Sequence, residues 1–285
     1  MISLEQKERV DALRIQYGHK SSSHAFTSLY VWQDEMGLEL QLEQDMFAVK
    51  SRLHGTNSWF FPCGAGRAKE IFLAAHLEEP DFTLHYVREE DVQFAEHAFP
   101  GRFQFTEQEE DSEYLYDRDE QQQMRGRRFE KLRNSWHRAR RDHQLEVVSL
   151  DEALIPSAAA ITAEWKKTHF QPGVLGIRDE EASMRLLRHW NQLDVQGILL
   201  YVDGEPYALT AGYLLSDDTF DLCMAKQKEM GTGISVYARW ALYQTLPEHV
   251  RIINAEEDLG MEGLRMMKHC MQPTGMIRMF CGKVL

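Results

Sequence analysis

Cysteine is scarce in this chain: four in 285 residues, Cys63, Cys223, Cys270 and Cys281. They are spaced too widely for a metal-ligand pair and are too few for a disulfide framework, so reduced thiols in a cytoplasmic setting are expected and no metal is. Long apolar runs are lacking as well. No stretch approaches the roughly 20 residues that cross a bilayer, so no transmembrane segment is expected. The N-terminus is charged from Glu5 onward, where a signal peptide would be apolar, and reads as an amphipathic helix. Positive charge is in deficit. A net charge of −13 makes the molecule as a whole repel nucleic acid and anionic membranes. DNA is therefore not an expected partner, and any contact with a polyanion needs a local basic patch. Short repeats and low-complexity tracts are absent too.

What remains is ordinary globular composition in an α/β pattern. Residues 4–17 read as a helix with Val10, Leu13 and Tyr17 toward one face. Residues 38–52 read as two strands around a turn at Glu43–Asp45, and 58–66 as one buried strand closed by a Pro and Gly turn. Ser21 to Trp32 begins as a loop and ends in buried aromatics. A helix at 68–77, a strand at 82–87, a helix at 92–98 and a strand at 101–108 complete the first part. Charge then turns over: Glu107 to Glu113 is acidic, whereas Arg125 to Arg141 carries eight cations, Arg125, Arg127, Arg128, Lys131, Arg133, Arg138, Arg140 and Arg141. Phe129, Leu132 and Trp136 recur there at helical spacing, which predicts a basic helix with one face on a core. The second half repeats the pattern: helices at 154–168 and 180–193, a hairpin turning at Asp203-Gly204, a strand at 219–225 and a helix at 234–246. A strand from Val250 to Ile253, a helix around Arg265 and a last strand at 276–281 follow. The expected organisation is two halves of similar content, a divergent tandem duplication. They span 1–120 and 146–285, bridged by the basic helix at 121–145.

Three constellations are candidates for chemistry. Lys228-Glu-Met-Gly-Thr-Gly233 follows a strand and opens a helix, where glycine amides can cradle a phosphate. Lys228, Gly231 and Gly233 are therefore candidate donor-phosphate ligands, weighed against an ordinary glycine turn. Within the basic helix, Arg133 and Asn134 flank the apolar stripe and are candidates to hold an anionic substrate, weighed against a solvated helix paired with Glu110, Asp117 and Glu120. The segment from Val250 to Lys268 sets Asn254, Glu256, Glu257 and Asp258 between a strand and a helix. Glu256 and Asp258 are the candidate catalytic carboxylates, since a carboxylate can take a proton from an attacking amine. Asn254, Arg265 and Lys268 are candidate substrate ligands, the last two one helical turn apart. The competing reading is a helix N-terminus that favours acids. The histidines His137, His143, His169, His189, His249 and His269 form no metal-ligand pair.

The glycine segment resembles the pyrophosphate loop of acyl-CoA N-acyltransferases, normally Arg or Gln-x-x-Gly-x-Gly or Ala. Four longer stretches resemble the bacterial phosphatidylglycerol lysyltransferase C-terminal-domain-like family, catalogued as a domain of unknown function. They are Phe26 to Trp32, Phe61 to Gly64, Tyr114 to Asp117 with Gly126 to Asn134, and Asn254 to Lys268 with Pro273. The resemblance implies an α/β (α+β) chain of two tandem GNAT-like domains, each with a mixed central sheet flanked by helices. It departs at Leu132, where the family usually has Lys, and at Ala139, where it has an aromatic. The multi-span membrane half of lipid lysyltransferases is not in this chain, which weighs against lipid as substrate. The activity implied is transfer of an activated acyl group, from a coenzyme A thioester or an aminoacyl-tRNA, to an amine or hydroxyl. A non-catalytic module of the same fold that senses a nucleotide or phospholipid is the alternative, and a purely structural acidic cluster is the third. Oligomeric state is not legible.

Overall fold

The computed structural model describes residues 1–53, 55–169, 179–229 and 233–285. The chain forms two units and does not divide at one point. The first is Met1–Glu113, Glu257–Glu262 and Met276–Leu285; the second is Tyr114–Glu256 and Gly263–Gly275.

The first unit opens with α1 (Lys7–Gln16) and α2 (Phe26–Trp32). The strands β1 (Glu39–Leu42), β2 (Met46–Ser51), β3 (Ser58–Phe60) and β4 (Cys63–Gly64) precede α3 (Gly66–His76). Then come β5 (Thr83–Arg88), α4 (Glu89–Ala98) and β6 (Phe103–Glu107). The expected single strand over 58–66 is two pieces. Pro62 has no N–H for a ladder, and the chain turns there before β4 pairs with β2. Of the aromatics of 26–32, Phe26 and Tyr30 are buried, as expected, and Trp32 is half-buried; the segment is a helix, and at helical spacing Phe26, Leu29 and Tyr30 fall on one side.

The second unit contains β7 (Glu113–Asp117), α5 (Arg118–Gln123), the basic helix α6 (Glu130–Asp142) and β8 (Leu145–Ser149). Next are α7 (Ile155–His169), α8 (Asp179–Arg188), β9 (Gln196–Val202), β10 (Glu205–Leu214) and β11 (Thr219–Gln227). It closes with α9 (Ile234–Thr245), β12 (Ile252–Asn254), α10 (Glu262–Cys270) and β13 (Gly275–Ile277); the last strand, β14 (Met279–Val284), returns to the first sheet.

The first sheet has the order β1-β2-β3-β5-β14-β6, with β4 also on β2; the second runs β13-β7-β12-β11-β10-β9-β8. Each is mixed. The pair β3/β5 is parallel in the first and β11/β12 in the second, and the other registered pairs are antiparallel. Two mixed sheets flanked by helices are the fold class expected. The hairpin turns at Asp203 (φ 52°) and Gly204 (φ 87°), the positive pair that a two-residue primed turn needs.

Period-two alternation along β10 sets the layers of the second unit. Ala208 joins the core beneath α9, and Thr210 donates to the Ala238 carbonyl of α9 at 3.2 Å. Leu209 and Ala211 point to the opposite face, where α7 packs. The stripe Phe129, Leu132 and Trp136 of the basic segment joins the same core as α9, and of its eight cations all but Arg133 are exposed. A buried guanidinium, Arg118, ties this unit together. It donates to the carbonyls of Tyr243 (3.2 Å), Leu246 (2.8 Å), Pro247 (2.7 Å) and Val250 (3.2 Å), satisfying acceptors at the end of α9.

Candidate functional site

The parallel pair at the centre of the second sheet is short. Only Thr219, Phe220 and Asp221 of β11 pair with Ile252, Ile253 and Asn254 of β12. Beyond Asp221, β11 runs on to Gln227 with β10 as its registered neighbour, while β12 ends at Asn254. The two strands therefore part at Asp221 and Asn254, and a parting at the carboxyl ends of parallel strands is where α/β proteins seat ligands.

The local sequence builds that parting. Gly212 sits in a bulge of β10, where the register shifts between Ala211 and Tyr213. A Cβ on Gly212 would fall 1.7 Å from the Asp221 carbonyl oxygen, so only glycine lets β10 and β11 approach here. Asp221 and Asn254 are both fully buried. Asn254 Oδ1 accepts from the Glu256 amide at 2.8 Å, which turns the chain sharply after β12. Glu256 itself is left-handed (φ 59°) and half-buried, whereas Asp221 is fully buried. Tyr213 and Cys223 stand beside these acids. Burial, then the Asp221 and Glu256 charges, push the Cys223 thiol well above its ordinary range. The Tyr213 phenol is driven up by burial, then by Asp221, Cys223 and Glu256. A neutral phenol and a neutral thiol thus stand beside two acidic side chains, surroundings that favour a cationic or hydrogen-bond-donating group.

The structure distributes the sequence candidates as follows. Asn254, Glu256, Arg265 and Lys268 belong to the second unit, and Asp258 to the first. Lys268 is buried: its ammonium donates to the Ala255 carbonyl and to the Glu256 carbonyl (2.9 Å), and lies 5.5 Å from the Tyr114 ring centroid. The Glu256 carbonyl also accepts from the Tyr114 amide at 3.1 Å. Lys268 thereby fixes the peptide that carries Glu256. Arg265 is half-buried on α10. Asp258, fully buried, accepts from the Gly260 amide at 2.9 Å and closes a turn of its own.

Arg133 donates to the Gly126 carbonyl at 2.6 Å and to that of Met124, pinning the loop before α6, whereas Asn134 is exposed. Arg128 pairs with Glu120, one of the acids expected to face the basic run; Asp117 instead caps α5 through the Glu120 amide at 2.8 Å. Lys228 is half-buried, its amide bonded to the Tyr207 carbonyl at 3.1 Å. Gly231 lies outside the described residues. Gly233 is the N-cap of α9, at φ 80°, and a Cβ there would meet the Ser135 carbonyl oxygen of α6 at 2.3 Å. Sequence reasoning missed Asp221 and Tyr213. The signal for Asp221 was an acid set among buried positions of a strand, Thr219 to Leu222; Tyr213 carried none.

Among the described residues no helix is long and apolar enough to cross a membrane. No curated protein matches the chain. Among solved structures, a conserved protein of unknown function from Bacteroides thetaiotaomicron VPI-5482 is 23% identical with a TM-score of 0.90, covering 100% of this chain and 98% of that one. FemX is 9% identical with a TM-score of 0.67, covering 100% and 96%. L-PGS from Bacillus licheniformis is 14% identical with a TM-score of 0.66, covering 96% and 90%. These likenesses establish the fold. The family model described as "Phosphatidylglycerol lysyltransferase, C-terminal" matches residues 14–281, nearly the whole chain, and the chain belongs to that family.

Proposed function

We propose that this chain is an aminoacyl- or acyltransferase. It takes an activated acyl group from an aminoacyl-tRNA or a coenzyme A thioester and passes it to an amine or hydroxyl, with the chemistry at the parting of β11 and β12. The observation that carries the reading is the half-buried Glu256 carboxylate, held on a strained left-handed residue beside buried Asp221 and Asn254. Family membership supports a transferase of this kind.

In the reaction the acceptor nitrogen or oxygen attacks the acyl carbon. The new bond to carbon forms as the bond to the thioester sulfur or the ribose oxygen breaks. Glu256 accepts the proton lost by the acceptor and returns it to the leaving thiol or hydroxyl. Asp221 draws an amine toward the site by charge, and Asn254 keeps the Glu256 peptide in place. Asp258, closing its own turn, supports the loop rather than the proton transfer. Gly233 at the start of α9, with Lys228 and Gly231 before it, faces donor phosphate, where helix amides favour anions. Arg265 and Arg133 contribute positive charge for the donor, and Asn134 a hydrogen bond. Lys268 acts through the backbone it holds.

The test is transfer of labelled aminoacyl groups from a mixed aminoacyl-tRNA pool, and of acetyl groups from acetyl-CoA, to amine acceptors. Glu256→Gln should lower turnover by about 10²–10⁴, the usual contribution of a positioned base, with melting temperature unchanged. Absence of donor binding by calorimetry for both classes would sink the reading. Donor binding without turnover, undisturbed by Glu256→Gln, would favour the sensing module instead.

A further inference from the structure

The transfer reading leaves Tyr213 without a role, although it stands among the acids of the site. On β10 it lies directly opposite Asp221 of β11. The bulge sets that pairing: from the Ala211/Met224 pair to the Tyr213/Asp221 pair, β10 advances two residues and β11 three. Opposite residues of an antiparallel ladder send their side chains to the same face, so phenol and carboxylate share one side of the sheet. Both are buried, Tyr213 at 5% exposure and Asp221 at 0%.

Neighbouring groups are already engaged. Cys223 Sγ donates to the Ala211 carbonyl at 3.7 Å, and Asn254 Oδ1 accepts from the Glu256 amide at 2.8 Å. Tyr213 Oη reaches toward Asp221 but completes no hydrogen bond of ordinary geometry among the described residues. Burial first, then Asp221, Cys223 and Glu256, keep the phenol neutral, so it holds one O–H to donate and lone pairs to accept. A buried hydroxyl left in this state destabilises a fold, and a site that receives a substrate is one place where it persists.

We propose that Tyr213 sets acceptor specificity: its O–H goes to Asp221 and its oxygen accepts an N–H of a primary amine, which makes an amine, and not a hydroxyl, the acceptor. The inference rests on the transfer reading and names the acceptor class within it. The proton count decides. The attacking form, a neutral primary amine, carries two N–H bonds. As nitrogen attacks the acyl carbon and the bond to the thioester sulfur or ribose oxygen breaks, one proton passes to Glu256 and on to the leaving thiol or hydroxyl. The other stays on nitrogen, bonded to Tyr213 Oη. A hydroxyl has a single proton, which goes to Glu256 and leaves the phenol oxygen unpaired. A site built around a hydrogen bond rejects analogues that cannot make it. Hydrogen bonds of this kind are often incomplete before substrate arrives and tighten in the complex.

The experiment measures kcat/KM of the full chain with whichever donor it uses, aminoacyl-tRNA or acetyl-CoA, and with n-propylamine, N-methylpropylamine or n-propanol as acceptor. With the unaltered chain, n-propylamine should exceed N-methylpropylamine by about tenfold, since the secondary amine has one N–H for Glu256 and none for Tyr213. Tyr213→Phe should lower kcat/KM for n-propylamine about tenfold, leave the secondary amine and the alcohol within about twofold, and not lower the melting temperature. Equal loss with every acceptor, or no loss, would overturn the inference and leave transfer intact. Should the variant misfold, the unaltered chain decides: equal rates with the two amines, or a faster alcohol, overturn it. No transfer from either donor to any acceptor sinks the transfer reading itself, and this inference with it.

Discussion

His24 and Asp111, both in the first unit, are titratable groups held away from their ordinary values in opposite senses. Burial keeps His24 neutral down to about pH 3, with Nε2 2.8 Å from the Phe61 carbonyl and Nδ1 3.0 Å from Ser23 Oγ. His19 is lowered in the same direction. Burial, then Glu257 and Glu110, raise Asp111 to about 7. The signs follow by linkage. Each histidine binds its proton in the unfolded chain first, so stability falls as pH drops below about 6.5, by up to about 1.4 kcal/mol per unit for each. Asp111 binds its proton in the folded chain first, so its contribution is full below about pH 4 and fades as pH rises through about 7. Asp111→Asn should therefore be more stable than the parent at pH 8, by on the order of 1–2 kcal/mol after allowing for partial exposure, and equal to it below about pH 4. Its stability should also fall more steeply from pH 7 to 5. Urea titrations at pH 4, 5, 7 and 8 check this, and equal stability at pH 8 would refute it. Lys268 and Arg133 teach the same lesson about charge. Their sequence positions mark them as cations near a candidate site, yet both donate to loop carbonyls, because backbone acceptors in a turning segment take side-chain donors where no helix or strand supplies an amide.

At the scale of elements, periodicity and turn chemistry were readable because they are local. The basic helix showed its stripe, the Asp203-Gly204 turn its two-residue signal, and the strand before Asn254 its apolar run. Strands β7 and β8 were not read: Glu113 to Asp117 is short and carries an acid at each end, and β8 at the sheet edge has no clean alternation. Helix α2 was hidden by its aromatic composition, which suits strands as well. Gly233 shows a residue whose local motif has two causes. Besides opening α9, it lets α6 and α9 approach, with the Ser135 carbonyl where a side chain would be. Gly233→Ala should cost about 2 kcal/mol or more, since it combines a left-handed φ with a clash against backbone. Thermal unfolding measures this; an unchanged melting temperature would mean that the two helices adjust freely.

At the scale of the molecule, β14 lies between β5 and β6, so the C-terminal strand is an interior strand of the N-terminal unit's sheet. Truncation after Gly275 should therefore expose the amides of β5 and β6 and leave those of β9, β10 and β11 protected. Hydrogen exchange read by mass spectrometry tests it, and uniform loss of protection, or none, would contradict it. By itself the sequence determined the α/β class, most helices and strands, the basic helix with its buried stripe and the strand that runs into the polar segment after Val250. All of these rest on spacing within one element or on a contiguous motif. Only the tertiary structure decided that Asp221 and Tyr213 stand with Asn254 and Glu256, that Lys268 serves the backbone, and that the last strand crosses back to the first sheet. Each depends on which distant strands pair and in what register, and that is settled by burying two cores at once, not by any short stretch of chain.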